Sequence, residues 1–456
     1  MIDYLVLAGI ATFAVILVVL ITLLIWNKPV FVIYIQVGYC FFVRFLTIQI
    51  GIPEVIKYFF DYLTLILLLQ IILHANKTKN INIRKPLFFI VLFIVVTIIS
   101  TIYNNSDFVL FFWGVRLNFR FYIFFLACVF FLKRNDIDNI LNFFMFMLPL
   151  NTILVIYQYF IMDLRFDYVG GFFGTHVSSH SEQVPFLILV NLIAIVFYVE
   201  SKINLVQMIL YLGMIMFTAA IAEIKILYIL LPIFVILVSI LSFPNIRSVQ
   251  LIIISVIFIP ISFSFMLILY PEWVSQLGNI RLAIFNTAVD EYGDQGALGR
   301  LTAGSYLLKN IIIEPFQRIF GIGFGNADHF MSYSSSFLDR YETLNYNIFR
   351  YTVVMIELGI VGLVVYCLFF FIIATESLRI RKVIDKNYSY YCHISFITSL
   401  LVFFLIVYNP TLSMEGAFII FIILSFPFIM EKDKYEIKYI SSNIQIKNAA
   451  IQRNMA

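Results

Sequence analysis

Charge is what this chain has least of. Only 12% of its 456 residues are Asp, Glu, Lys or Arg, against 62% hydrophobic, and its mean hydropathy is +1.00. That balance excludes an ordinary soluble domain, because repeated apolar runs of about 20 residues match the thickness of a bilayer. Cysteine is scarce too. Cys40, Cys128, Cys367 and Cys392 all fall inside apolar runs, so neither a disulfide framework nor a zinc cluster is expected. No metal or other cofactor is called for. The net charge of +4 comes without a basic tract, which gives nucleic acid no footprint. No period suggests tandem repeats. The first apolar run, 4–26, lacks a basic leader and is long enough to span, so a cleavable signal is not expected.

What the chain has in abundance is hydrophobic helix, rich in aromatics with 51 Phe and 27 Tyr. The pattern predicts an all-α, polytopic integral membrane protein, one membrane domain over 1–456, with about 13 transmembrane helices. The spans are read at 4–26, 29–48, 55–74, 86–103, 108–132, 137–161, 184–199, 203–220, 224–243, 249–269, 351–375, 390–408 and 417–430. The eighth and ninth could also form one re-entrant pair. Lys77, Lys79, Arg84, Lys85, Lys133, Arg134, Arg379, Arg381, Lys382, Lys386, Lys432, Lys434 and Lys438 all fall on one side of this arrangement, which the positive-inside rule makes cytoplasmic. The first residue and one large loop, 271–350, then lie outside. Within the loop, 301–313 has apolar residues at helical spacing, reads as an amphipathic helix on or near the membrane surface, and is stopped by Pro315. Gly321, Gly323 and Gly325 follow, allowing a tight path close to a ligand or to another backbone.

Charges inside the spans single out candidate residues. Arg116 and Arg120 are four apart and share one face of the fifth span. A charge at mid-bilayer costs about 2.5–3.5 kcal/mol on insertion scales, so two on one face need a reason. A water-filled cavity that binds an anion is one, and the guanidinium fork suits phosphate. A structural pairing with Asp61, Glu357 or carbonyls is the other. Glu357 sits about two turns into its span and is placed to meet Arg or Tyr partners or a substrate hydroxyl. Arg44 in the second span has room to snorkel outward. Glu223 and Lys225 stand at a junction, where an interfacial ion pair suffices. His176 and His180 are at i and i+4, a spacing that on a helix can hold a metal. With no third ligand beside them, and with Glu182 off that face, lining of a sugar site or plain solvation reads better than metal.

From Gly299 to Gly362 the chain resembles the O-antigen polymerase and O-antigen ligase superfamily of bacterial surface-polysaccharide enzymes. The resemblance rests on Gly299-Arg300, Pro315, Gly321-Ile-Gly-Phe-Gly325 and Glu357-Leu-Gly359-Ile-Val-Gly362, in that order, in one large late loop. The Gly171-Phe-Phe-Gly174 segment and the 218–225 junction, Ile224-Lys225 where the family often has Ser-Arg, extend it upstream. Ligases of this superfamily usually place a His about eleven residues before the Gly-x-x-Gly; this chain has Asn345 and Asn347 near that place, and the loop's His is His329. That departure points to the polymerase branch. The resemblance implies transfer of a growing glycan from undecaprenyl diphosphate onto a lipid-linked repeat unit, at the outer face of the bacterial cytoplasmic membrane. Ligase-type transfer to a terminal acceptor is the alternative within enzymes, and a lipid-linked oligosaccharide flippase the alternative outside them. The reaction needs cations for the departing diphosphate and a base for the attacking hydroxyl. Arg116, Arg120 and Arg300 are the candidate clamps, with Lys225 and Arg318 secondary. His329, then Glu357, are the candidate bases, with His176, His180 and Glu182 as sugar contacts. A chain-length regulator and a repeat-unit flippase are the partners the resemblance implies.

Overall fold

The computed structural model describes residues 22, 25–74, 82–176, 179–224, 226–242, 245–269, 298–328 and 333–435. Among these the secondary structure is helical, with no strand. The long helices are α1 Pro29–Ile48, α2 Phe59–His74, α3 Arg84–Tyr103, α4 Phe108–Phe131, α5 Arg134–Phe160, α6 Ser179–Val199, α7 Leu205–Ile221, α8 Ile226–Ser242 and α9 Ile246–Leu269. After the loop come α13 Arg350–Arg381 and α14 Ser389–Tyr408, then α15 over 417–435. Among the described residues, eight helical segments are long and apolar enough to cross a membrane, and the chain is membrane-embedded. α7 and α8, at 17 residues each, are shorter, but they are two separate helices joined at Ala222–Ile224.

Local chemistry starts the helices where the polar residues fall. Asp107 caps α4 by accepting from Val109 N at 2.7 Å, Asp136 accepts from Lys133 N at 2.7 Å, and Asn204 with Gln207 forms a reciprocal box at α7. Pro149, Pro185, Pro232 and Pro260 sit inside helices, as neighbouring helices in a bundle permit.

The described part of the large loop builds a small core of its own: Leu298, Ala303, Leu307, Ile312, Ala327, Leu338, Tyr346, Phe349, Met355 and Ile356. Its helices are short: α10 Ala303–Tyr306, which runs into a π turn over Leu307–Ile311, then α11 Pro315–Phe320 and α12 Ser336–Tyr341. The single amphipathic helix expected over 301–313 is therefore broken up, and its buried face packs on the loop's core. Pro315 opens α11 rather than closing the preceding segment, a position where its missing N–H costs nothing.

The glycine turn meets another backbone, not a vacant cradle. Gly321, Gly323 and Gly325 all have positive φ, and so does Gly359, where α13 breaks. A Cβ on Gly321 would collide with the Glu357 carbonyl, and one on Gly359 with the carbonyl of Ile319. The two glycines let α11 and the kink of α13 touch main chain to main chain, sealed by Ile322 N donating to Ile356 O at 2.8 Å. A Cβ on Gly325 would strike the Leu110 carbonyl, so the same turn is pressed onto α4 as well.

Candidate functional site

The long helices bring their polar residues to the two ends of the bundle. At the end where α4, α13 and α15 finish, Glu376 pairs with Lys85 at 2.6 Å and Arg379 at 2.5 Å, and Arg379 reaches Glu431 at 3.0 Å. Lys432 donates to the carbonyls of Val129, Phe130 and Leu132, the unpaired carbonyl end of α4. Asp136 and Asp138, an Asp-x-Asp pair, also lie here and receive the hydroxyls of Tyr34 and Tyr390 at 2.9 and 3.1 Å. This end is termed the lower end and the opposite one the upper.

The candidate site is a buried ionic cluster toward the upper end. It is assembled from five stretches: α1, α2, α4, the start of α6, and the connector 409–416 between α14 and α15. Each carboxylate belongs to a helix start. Asp61 is in the first turn of α2, Glu182 in the first turn of α6, and Glu415 two residues before α15. The partial positive charge of a helix N-terminus favours each anion there. Arg44 comes from the last turn and a half of α1 and puts Nε 2.7 Å from Glu182 Oε1 and Nη2 3.4 Å from Glu415 Oε2. Arg116 Nε lies 2.6 Å from Asp61 Oδ2, with its guanidinium between the rings of Tyr58 and Trp113 at 4.5 and 4.4 Å. Arg120 Nη1 and Nη2 lie 3.8 Å from Asp61 Oδ1 and 3.5 Å from Glu415 Oε1, and Nη2 also donates to Ser413 O at 3.2 Å.

Three arginines thus face three carboxylates, so Arg116 and Arg120 do find the carboxylate and carbonyl partners that a structural pairing requires. The pairing is uneven. Arg120 is only 4% exposed, yet its Nε and Nη1 reach no hydrogen-bond acceptor among the described residues. Asp61 Oδ1 and Glu182 Oε2 are likewise buried without a donor. Buried polar atoms are nearly always matched. Four unmatched atoms stand together on the facing arginine and carboxylates of this cluster, and others are spread through the bundle, as on His393 and Asn191. Burial by itself pushes the Glu415 carboxyl up, but Arg120 and Arg44 outweigh it and hold it below its ordinary value, so it is ionised at neutral pH.

The connector is fixed by its own polar residues. Thr411 Oγ1 and Asn409 Nδ2 donate to the Ser181 carbonyl at 2.5 and 3.3 Å, and Cys40 Sγ lies 3.5 Å from Glu415 O. Gly416 passes alongside Glu182. Arg300, from the loop, stacks over Tyr408 with 4.6 Å between guanidinium and ring centre, at the mouth of this same connector.

Glu357 lies apart, in the α13 kink. Its carboxylate takes the backbone N–H groups of Gly325 and Ala327 with Arg350 nearby, and its carbonyl accepts from Ser100 Oγ at 2.7 Å. Arg350 in turn donates to Asn118. Arg318 donates Nε to Ile312 O at 2.8 Å, which closes the loop on itself and keeps it out of the cluster. His176 sits exposed in the turn before α6, which begins at Ser179, so His176 and His180 do not share a helical face. Glu182 is fully buried against Arg44. Lys225 and His329 lie outside the described residues. Among the described residues, no three His, Cys, Asp or Glu side chains gather as a metal site.

Glu415 and Arg350 are the two charged residues of these sites that sequence reasoning passed over. Glu415 stands just before an apolar run, where a lone acid reads as a helix-start residue. Arg350 stands at the boundary of a span, where a basic residue reads as an interfacial anchor. Comparison with protein-family models, characterised proteins and solved structures finds no match for this chain.

Proposed function

We propose that the chain is a membrane glycosyltransferase of the polysaccharide-polymerase type, which moves a growing glycan from undecaprenyl diphosphate onto a lipid-linked repeat unit. The observation that carries this reading is Arg120: a buried guanidinium with two nitrogens unspent, four residues from Arg116 on the same helix. Arg300 stands at the connector that supplies its other contacts. A diphosphate offers several acceptor oxygens, and guanidinium donors in a dry site stabilise the charge that develops as it leaves. In this reading the bundle has thirteen spans in the cytoplasmic membrane of a bacterium, the loop 271–350 and the upper end face outward, and the product is O-antigen, capsule or a similar polymer. A chain-length regulator and a repeat-unit flippase are its partners.

One observation favours a second reading. The cluster's charges balance, three against three, and a balanced network that breaks and re-forms suits a flippase that moves lipid-linked oligosaccharide. Ligase-type transfer shares the chemistry of the first reading and differs in its acceptor. Deleting the gene in its host separates the three. A single repeat unit in place of a ladder on surface-polysaccharide gels supports the polymerase. Full-length polymer stranded on undecaprenyl diphosphate means ligase, and repeat units trapped on the cytoplasmic face mean transport.

A further inference from the structure

We infer that Glu415 is the catalytic base of the proposed transfer, held in reserve by Arg120 until the lipid diphosphate takes its place on that arginine. The inference rests on the polymerase reading above and adds to it the residue that receives the proton.

The contacts of the cluster are of two kinds. Arg44 with Glu182 and Arg116 with Asp61 are close pairs, at 2.7 and 2.6 Å. Glu415 is held by two arginines, each at longer range, 3.4 Å from Arg44 and 3.5 Å from Arg120. Charge-assisted hydrogen bonds are strongest near 2.7–2.9 Å, so Glu415 is the carboxylate released at least cost. The other acids of the cluster each hold one short bond, Asp61 to Arg116 and Glu182 to Arg44, with one oxygen of each left unmatched, while Glu357 receives two backbone amides in a different part of the molecule. The main chain around Glu415 is nevertheless fixed, with its carbonyl accepting from Phe418 N at 3.1 Å and Thr411 and Asn409 tied to Ser181. A fixed backbone sets where the Glu415 carboxylate can come within hydrogen-bond reach of the proton it takes, as general-base catalysis requires.

Arg120 supplies the exchange. Its Nε and Nη1 are buried without a hydrogen-bond acceptor, Nη1 lying 3.8 Å from Asp61 Oδ1; in this exchange they take the first diphosphate oxygens, and Nη2 then turns from Glu415 to the ligand. Glu415 is left with the long Arg44 contact. The groups that face it are Arg44 and Arg120, with Glu182, Lys57, Cys40 and Tyr39 around them. The acceptor sugar's hydroxyl oxygen attacks the anomeric carbon of the donor, forming the new glycosidic C–O bond. The C–O bond to the diphosphate breaks with its electron pair leaving on undecaprenyl diphosphate, and the hydroxyl proton passes to the Glu415 carboxylate. Nothing is oxidised or reduced.

The test uses the full chain, in the deletion host and purified in detergent, with undecaprenyl diphosphate itself as the binding probe. Glu415→Gln keeps shape and removes basicity. It is expected to cut the polymer ladder by about 100-fold or more while binding undecaprenyl diphosphate no more weakly than the wild type, whereas Arg120→Ala loses both. A wild-type ladder in Glu415→Gln overturns the inference, as does loss of binding to the extent seen in Arg120→Ala. Glu415→Asp keeps the charge but draws the carboxylate back by one methylene, and it carries the test if Glu415→Gln does not accumulate. Reduced polymer at unchanged affinity supports the base, and unchanged polymer overturns it. A wild-type protein that does not bind undecaprenyl diphosphate, or a deletion that leaves the ladder intact, instead overturns the polymerase reading itself.

Discussion

Two charged regions of this apolar bundle, the α13 kink and the Arg120 cluster, treat their charges differently. Around the α13 kink, Glu357 receives the amides of Gly325 and Ala327, and Gly321 and Gly359 bring two backbones together. In the Arg120 cluster, two guanidinium nitrogens and two carboxylate oxygens are buried without hydrogen bonds, against the single Arg350 Nε at the kink. A carboxylate spent on main-chain amides holds a loop in place. Unspent donors beside loosely shared carboxylates leave capacity for a ligand. On the proposed function the first region is scaffold and the second is the site, although both carry the kind of intramembrane charge that marks function by default.

The comparison breaks most visibly at the glycines. Gly321→Ala or Gly359→Ala forces a Cβ into main-chain atoms at a positive φ, where no flexible side chain can yield. The expected loss is above about 4 kcal/mol, read as failure of the protein to accumulate in the membrane. Normal accumulation with a normal melting temperature would mean that the turn does not hold the loop. Glu357→Ala comes next. It strips two backbone amides of their acceptor and leaves Arg350 without its nearby carboxylate, at about 3–5 kcal/mol, measured as a fall in melting temperature of the detergent-solubilised protein. Arg120→Ala belongs to the other region and divides stability from function. Asp61 keeps Arg116 and Glu415 keeps Arg44, but three carboxylates then face two arginines, so the fold loses about 3–5 kcal/mol while polymer production per folded molecule falls about 100-fold or more. Arg318→Ala is the smallest. It gives up one charge-assisted bond to Ile312 O, worth about 1.5–3 kcal/mol at most, and leaves polymer length unchanged on the same gels.

Much of the scaffold was legible because the lipid requirement writes itself into long apolar runs. The spans from 29–48 to 390–408 match helices of the structure to within a few residues, except that the short helix Glu54–Tyr58 precedes α2, α6 starts earlier at Ser179, and α13 runs on to Arg381 and breaks at Gly359. The loop was less legible. The apolar periodicity of 301–313 is real, but it serves a local core that includes Tyr346 and Phe349 from far along the chain, and that core breaks the helix into α10 and a π turn. Arg116 and Arg120 were visible as a pair on one face, and Asp61 as a partner. Glu415 was not, because its meeting with Arg120 spans nearly three hundred residues and depends on the connector folding back against α6. Nor does the i, i+4 spacing of His176 and His180 mean a shared face, since the helix begins between them. Spacing carries a face only where the helix exists, and a cluster drawn from five stretches has no spacing to read.

Affinity for undecaprenyl diphosphate, compared between wild type and Arg120→Ala in the purified full-length protein, tests the assignment of site and scaffold most directly. If the unspent nitrogens of Arg120 are the diphosphate's contacts, the variant binds at least about tenfold more weakly while still melting in one cooperative transition. Equal affinity in the two proteins would contradict it, and the cluster would then be an internal ion network with the site elsewhere.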